Sequence, residues 1–251
     1  MYRIGDNLES VILCGGYATR MRPISEFIPK ALLPIRGKPV LEHTIEDIMP
    51  MTERAVISTN DRFSDQFRYW ADCVNLKHAR QYISLVIEPA TTESEKFGIL
   101  KGAAYAIDKA AIKGDLAILT GDKFRDHSLG DLFRQFEKDK RPTLIVKEQF
   151  ADKNMDMRMF EEKFIMVKKH GSTMTAGAMV IPSEHVTKIS EYVAASGDND
   201  SLIGFLDWLD KIEKIRWMSL PGNCVDIGEY GEYSFIFNKE LDKRLNSLKR
   251  Q

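Results

Sequence analysis

The chain has 251 residues, of which 43% are hydrophobic and 29% are charged, and its 36 basic and 37 acidic side chains leave a formal net charge of −1. This balance is typical of a globular protein and excludes a strongly basic surface for nucleic acid or for an anionic membrane, so that a cationic site must be local. The sequence contains no apolar stretch long enough to span a membrane and begins without a signal-peptide core, and its three cysteines favour reduced thiols. We therefore expect a cytoplasmic protein.

The first predicted element is a buried strand that leads into a loop rich in glycine and cations. Its apolar run ends at Cys14, and Gly15 and Gly16 then permit a positive φ and the close approach of a ligand. Four prolines space the cations of the following loop, which are Arg20, Arg22, Lys30, Arg36 and Lys38. Strand, glycines and cations together predict a phosphate-binding loop, and a tight turn with solvated cations is the alternative.

Short apolar runs then alternate with helical patterns. The predicted strands are 55–58, 83–87, 116–119 and 143–146, and the helical patterns begin near Pro39, Phe63, Gly102 and Leu129. This alternation predicts an α/β fold with a mixed, mainly parallel sheet and helices on both faces. Such sheets bind ligands beyond the carboxyl ends of their strands, where Gly15, Gly16, Glu88 and Asp122 are expected.

The pattern changes after Val146. Residues 157–160 and 164–167 are predicted as a hairpin around Glu161-Glu162-Lys163. Further predicted strands are 176–181, 215–220 and 224–227, and helices are predicted from Ser183, from Leu202 and over 230–248. Because there is no internal repeat and no low-complexity linker, we expect one domain over residues 1–251.

The segment 15–39 resembles the signature of the sugar-1-phosphate nucleotidylyltransferases, G-G-x-G-T-R-x-x-P followed by P-K and by a Leu-Pro-Val-like run that ends in Lys-Pro. The residues that agree in order and spacing are Gly15, Gly16, Thr19, Arg20, Pro23, Pro29, Lys30, Leu33, Pro34, Lys38 and Pro39. Ala18 replaces the third glycine, and a positive φ there would be strained. The resemblance implies a Rossmann-like, GT-A-like core without the C-terminal β-helix of many family members.

The resemblance also implies a reaction, the transfer of a nucleotidyl group from a nucleoside triphosphate to a sugar 1-phosphate with Mg²⁺ as cofactor. Asp122, after Gly121, resembles the family's Gly-Asp metal motif, and Asp226 resembles its late Asp-hydrophobic-Gly pattern. For either aspartate alone, a helix cap is the alternative. The implied role of Lys30 is at the reacting phosphates, and that of Arg20 is at the β- and γ-phosphates.

The nucleotide pocket is implied with less detail. Its residues are Leu13, Gly15, Gly16, Thr19, Arg20, Glu88, Gly98 and Gly121. Glu88 is expected to face the base, where a carboxylate favours N–H donors such as those of guanine, and the cap of a following turn is its alternative role.

The acceptor side departs from the family, because its Glu-Lys-Pro motif is missing. Lys169, at the end of the second predicted hairpin strand, is expected to bind the sugar phosphate, and Lys163 in the turn is the alternative. Gly177 lies in a Thr-Ala-Gly sequence that resembles the family's Asn-Ala-Gly, which lets the sugar approach the backbone. The expected catalytic residues are thus Arg20, Lys30, Asp122 and Lys169.

Two other functions stay open. One is a non-catalytic relative that senses nucleotide sugars, favoured by the departures at Ala18, Lys168 and His170, and the other is cytidylyl transfer to a non-sugar phosphate. A dinucleotide-dependent dehydrogenase is disfavoured because no G-x-G-x-x-G follows the first strand. The sequence leaves the base, the sugar and the choice between monomer and homo-oligomer open.

Overall fold

The computed structural model describes residues 7–78, 82–147, 149, 155–161, 175–197, 200, 202–228 and 230–238. The strands are β1 (Leu8–Leu13), β2 (Pro34–Ile35), β3 (Lys38–Pro39), β4 (Ala55–Asn60), β5 (Ile83–Glu88), β6 (Asp115–Thr120), β7 (Lys123–Arg125), β8 (Thr143–Val146), β9 (Thr175–Ile181), β10 (Arg216–Ser219) and β11 (Cys224–Asp226). The helices are α1 (Val40–Ile48), α2 (Ser64–Lys77), α3 (Gly98–Lys109), α4 (Gly130–Asp139), α5 (Ser183–Ser196) and α6 (Leu202–Ile212). Residues 157–161 and 230–238 are also helical.

The main sheet has seven strands in the order β10-β8-β9-β6-β1-β4-β5. The pairs β1–β4, β1–β6, β4–β5 and β8–β10 are parallel, whereas β9 runs antiparallel between β6 and β8. The predicted mixed, mainly parallel sheet is therefore confirmed, and the carboxyl ends of six strands lie along one edge of it.

Helices cover both faces of the sheet, as predicted, because its strands alternate their apolar side chains between two layers. In β1, Leu8 and Ile12 belong to the core cluster that α1, α2 and α4 complete, whereas Val11 belongs to the cluster completed by α3, α5 and α6. Burial on both faces explains why strands such as β1 read as continuous apolar runs.

The helix at residues 157–161 replaces the first strand of the predicted hairpin, so this prediction is wrong. Met157 and Phe160 are both buried in the second core cluster, which a three-residue helical spacing allows. The Asp156 carboxylate accepts a 2.8 Å hydrogen bond from the backbone N–H of Met159 and so caps the turn. Met157 and Met159 are two residues apart, which is also the spacing of side chains on one face of a strand, so the sequence pattern fitted both a strand and a helix. The second predicted strand, 164–167, lies outside the described residues.

Two small structures extend the carboxyl edge of the sheet. β7 pairs antiparallel with β11, and Lys123 lies directly opposite Asp226 in that pair. A third apolar cluster, which includes Met21, Phe124, Ile227 and Tyr233, packs beneath the loop that follows β1. This cluster holds the loop against the β7–β11 pair. Within the described residues, no helix has the length and apolar character that crossing a membrane requires.

Candidate active site

A cleft at the carboxyl edge of the sheet contains two adjoining cavities, of about 220 Å³ and about 570 Å³. The smaller cavity is bordered by the loop after β1 and by the start of α3, and the larger one by β9 and the start of α6. Both are lined by Leu13, Ile99, Thr120, Asp122 and Asp200. The position at the strand ends agrees with the sequence prediction, and the shared lining makes the cavities two parts of one cleft.

The glycine loop rests on the carboxylate of Glu88 at the end of β5. A Cβ atom placed on Gly15 would lie 2.8 Å from Oε2 of Glu88, so a side chain at this position would collide with the carboxylate. The Asn60 side chain donates a 3.1 Å hydrogen bond to the carbonyl oxygen of Gly15, and Ser58 Oγ donates a 2.8 Å bond to Glu88 Oε1. Glu88 is 3% exposed and still lines the smaller cavity. The Glu88 side chain therefore packs against the glycine loop and supports it, a role that was not predicted from the sequence.

Glu88→Gln is expected to raise the melting temperature more at pH 8 than at pH 4.5. Burial raises the pKa of Glu88 above its ordinary value, despite the hydrogen bond from Ser58. The folded protein therefore keeps this proton at pH values where the unfolded chain has lost it, and the contribution to stability falls as pH rises through the raised pKa. Glutamine is nearly isosteric and uncharged and keeps an acceptor for Ser58. Thermal unfolding at the two pH values measures the effect, and equal shifts would contradict it.

Ala18 has φ 47° and ψ 46°, a left-handed conformation, at the position where the sequence signature has its third glycine. The residue is half-buried and packs against the third apolar cluster. The sequence indicated strain only if φ were positive at this position; φ is positive, so the strain is present, and the loop keeps a glycine-type backbone without the glycine.

Ala18→Gly is expected to stabilise the fold by about 0.5 kcal/mol, because relief of a left-handed penalty of about 1–2 kcal/mol exceeds the added chain entropy of glycine, about 0.5–1 kcal/mol. Ala104→Gly, at a half-buried alanine inside α3, is the matched control and should destabilise by about 1 kcal/mol. Urea unfolding of both variants measures the difference. A loss of stability in Ala18→Gly as large as that in Ala104→Gly would contradict the expectation.

Lys30 and Asp122 form an ion pair between the loop and the turn after β6. The Lys30 ammonium donates to Oδ2 of Asp122, and both side chains are mostly buried. Burial alone would raise the pKa of Asp122, but the charges of Lys30 and Lys123 hold it well below its ordinary value. Burial alone would lower the pKa of Lys30, but Asp122 and, to a smaller extent, Asp226 raise it above its ordinary value. The carboxylate and the ammonium are thus both charged at neutral pH.

Lys123 and Asp226 form a second ion pair, in which the Lys123 ammonium donates to Oδ2 of Asp226. The Lys123 side chain is only 6% exposed, and it lines the larger cavity together with Asp226. Lys123 was not predicted from the sequence. It directly follows the Gly-Asp motif, and that position was the available signal, but the pattern there is also that of an ordinary strand residue.

The remaining oxygens of the two aspartates are suited to a metal ion. Oδ1 of Asp122 and Oδ1 of Asp226 are buried, and neither accepts a hydrogen bond from the described part of the chain. A buried carboxylate oxygen without a partner is costly, and carboxylates are the protein ligands that Mg²⁺ prefers. These two residues therefore fit the metal that the sequence resemblance implied.

Gly177 lies at the start of β9 with φ +66°, on the wall of the larger cavity. A Cβ atom there would collide with Oγ1 of Thr120 and would lie 2.8 Å from Cγ of Lys123. The Arg125 guanidinium donates hydrogen bonds of 2.8 Å and 3.0 Å to the carbonyl oxygens of Ala176 and Gly177. Arg125, which the sequence analysis also missed, thus holds this backbone in place.

The other predicted residues divide into two groups. Leu13, Gly98 and Gly121 line the smaller cavity, and the Gly121 N–H donates a 3.0 Å hydrogen bond to the carbonyl oxygen of Leu13. In the described structure Thr19 and Arg20 line neither cavity: Thr19 Oγ1 lies 3.5 Å from Oε1 of Glu93, and Arg20 lies beside Gly228, two residues after Asp226. Lys169 and its alternative Lys163 lie outside the described residues.

The glycine loop, the paired lysines and carboxylates, and their place on the sheet edge are typical of α/β proteins that bind phosphates. The sequence pattern of the nucleotidyl transferase family matches residues 9–155, more than half of the chain. The chain therefore belongs to the nucleotidyl transferase family.

Among relatives, the bifunctional protein GlmU of Methanocaldococcus jannaschii is 41% identical over an alignment of 230 residues, and the match covers 88% of this chain and 51% of that protein. The chain thus spans about half of the length of this curated relative. It covers 27% and 24% of two further GlmU proteins, from Methanococcus maripaludis and Methanococcus vannielii.

Solved structures agree with the fold. The UTP-bound UGPase from Acinetobacter baumannii has a TM-score of 0.68 at 13% identity, with 98% of this chain and 100% of that chain covered. The CTP:phosphocholine cytidylyltransferase LicC from Streptococcus pneumoniae has a TM-score of 0.65 at 16% identity, with 92% and 98% covered. At these identities the likeness shows the shared nucleotidyltransferase fold.

Proposed function

We propose that this chain transfers a nucleotidyl group from a nucleoside triphosphate to a sugar 1-phosphate and releases pyrophosphate. The observation that carries the proposal is the cluster of four charges, Lys30, Asp122, Lys123 and Asp226, where the two cavities meet. A reaction between two phosphate-containing anions requires a site where cations and metal-binding carboxylates lie between the two substrate pockets.

The reaction asks for little covalent chemistry from side chains. An oxygen of the acceptor phosphate bonds to the α-phosphorus as the bond from that phosphorus to the pyrophosphate oxygen breaks. The protein has to align the two reactants and to neutralise the charge that develops. The smaller cavity, with the exposed backbone at Gly16, would hold the triphosphate and base, and the larger cavity, beside Gly177, would hold the sugar phosphate.

Each charged residue then has a proposed task. Lys30 acts at the α-phosphate, and Arg20 reaches the β- and γ-phosphates from the rim of the loop. Asp122 and Asp226 would hold Mg²⁺, which when bound supplies positive charge to the phosphates and fixes their orientation. Lys169 is proposed to contact the acceptor phosphate, and Glu88 to border the base.

Pyrophosphate release with Mg²⁺ across a grid of substrates tests the proposal. The grid combines GTP, UTP, dTTP and CTP with glucose 1-phosphate, mannose 1-phosphate and N-acetylglucosamine 1-phosphate, and it includes phosphocholine as a non-sugar acceptor. We expect release with at least one sugar phosphate and a nucleotide sugar of the matching mass. Release with phosphocholine alone would assign a non-sugar acceptor, and binding of nucleotide sugars without turnover would favour the sensing role.

A further inference from the structure

Lys123 occupies an unusual place for a lysine. It lies directly opposite Asp226 in the antiparallel β7–β11 pair, so that the two side chains stand side by side on one face. Its side chain is 6% exposed, and its stem lies against the backbone of Gly177, because a Cβ on that glycine would be 2.8 Å from Lys123 Cγ. The ammonium is therefore confined to the space between Asp226 and the larger cavity.

The four-charge cluster is neutral without ligands, since Lys30 and Lys123 balance Asp122 and Asp226. If the two carboxylates held a divalent cation, the negative charge of Asp226 would be shared between that cation and Lys123. A buried ammonium that shares its counter-ion with a divalent cation is unfavourable, and the fixed stem keeps this ammonium from reaching bulk water. An anion in the larger cavity, beside Gly177, would be the new partner of this ammonium.

We propose that Lys123 binds the phosphate group of the acceptor, a phosphate monoester, in the state in which a cation on the two carboxylates would weaken the pairing of Lys123 with Asp226. The inference rests on the proposed function and assigns a second cation, besides Lys169, to the same phosphate. In the protein without ligands, Lys123 is the ion-pair partner of the Asp226 carboxylate. In the loaded protein, the same ammonium offsets part of the negative charge of the acceptor phosphate and helps to position its attacking oxygen.

In Lys123→Met, we expect the affinity for the metal and the affinity for phosphate to change in opposite directions. Methionine keeps the unbranched stem and removes the charge. Because the Lys123 ammonium repels the cation and shares the charge of Asp226 with it, Mn²⁺ should bind the variant several-fold more tightly, as measured by electron paramagnetic resonance of free Mn²⁺. Glucose 1-phosphate and orthophosphate, titrated by calorimetry in the presence of Mg²⁺, should bind at least about tenfold more weakly.

Two further variants keep the test decisive. Lys214→Met removes a lysine that pairs at 2.6 Å with the mostly buried Asp210 on α6, away from the cleft, and should change neither affinity. Asp226→Asn frees Lys123 without any metal, so that orthophosphate should bind this variant more tightly than the wild type in metal-free buffer. This second arm also covers the case in which Lys123→Met fails to fold.

Unchanged phosphate affinity in Lys123→Met, or no gain in metal-free Asp226→Asn, would overturn the inference and leave Lys123 as a structural partner of Asp226. The same preparations are assayed for nucleotidyl transfer. If the wild-type protein catalyses nucleotidyl transfer and phosphate affinity is unchanged in Lys123→Met, only the role of Lys123 is refuted. Absence of wild-type turnover over the whole substrate grid, with the binding changes present, refutes the proposed function instead.

Discussion

Asp122→Asn and Asp226→Asn are each expected to lower the turnover number for nucleotidyl transfer by about a hundredfold or more, as removal of a strong electrostatic contribution to catalysis does. Asparagine preserves the shape of the side chain and removes the charge that would hold Mg²⁺. Each variant also leaves one ammonium of the cluster, on Lys30 or Lys123, without its ion-pair partner. Steady-state kinetics at saturating Mg²⁺ measures the loss, and the affinity for Mn²⁺ should fall in parallel.

Asp126→Asn is the matched control for these variants. Asp126 follows β7 in the same part of the chain, but its carboxylate accepts hydrogen bonds of 2.6 Å and 2.8 Å from the backbone and side chain of Asn223. Its loss should affect stability and leave turnover within about twofold. Near-normal turnover in both Asp122→Asn and Asp226→Asn would remove the proposed metal site.

Lys30→Met and Arg20→Ala are expected to differ in the kinetic constant that they change. Lys30 lies against Asp122 at the meeting point of the cavities, so that its loss should lower kcat, by about a hundredfold, with a small change in KM. Arg20 is largely exposed on the rim, so that its loss should chiefly raise the KM for the triphosphate. Initial rates over a range of triphosphate concentrations separate the two effects.

Two controls accompany this pair. Lys30→Arg keeps the charge and should retain more of kcat than Lys30→Met does, although the larger guanidinium is a poorer fit beside Asp122. Lys140→Met removes an exposed lysine that pairs with Asp115 and Glu137, and it should change neither constant. If Lys30→Met kept wild-type kinetics, the proposed role of this lysine at the reacting phosphate would be wrong.

The sequence by itself determined much of the parallel core and one side of the cleft, because both depend on local patterns. Apolar runs such as that of β1 record burial on both faces, and the glycine loop marks the strand end at which a ligand can approach. Lys30 and Asp122 were predicted from two separate motifs, and the structure places them in contact. The signature showed that Ala18 stands at a glycine position, and the structure shows that its backbone is left-handed there.

The tertiary structure alone decided which distant residues meet. β9 lies antiparallel inside the main sheet, and an apolar run carries no record of strand direction. Residues 157–161 form a helix because Asp156 caps the turn and two side chains reach the core, which their ambiguous spacing did not reveal. Lys123 and Asp226 are 103 positions apart in the chain, and they pair because the register of two three-residue strands sets them opposite each other. The register of a strand pair depends on packing across the whole fold, so the partner of Lys123 could not be found from its neighbours in the sequence.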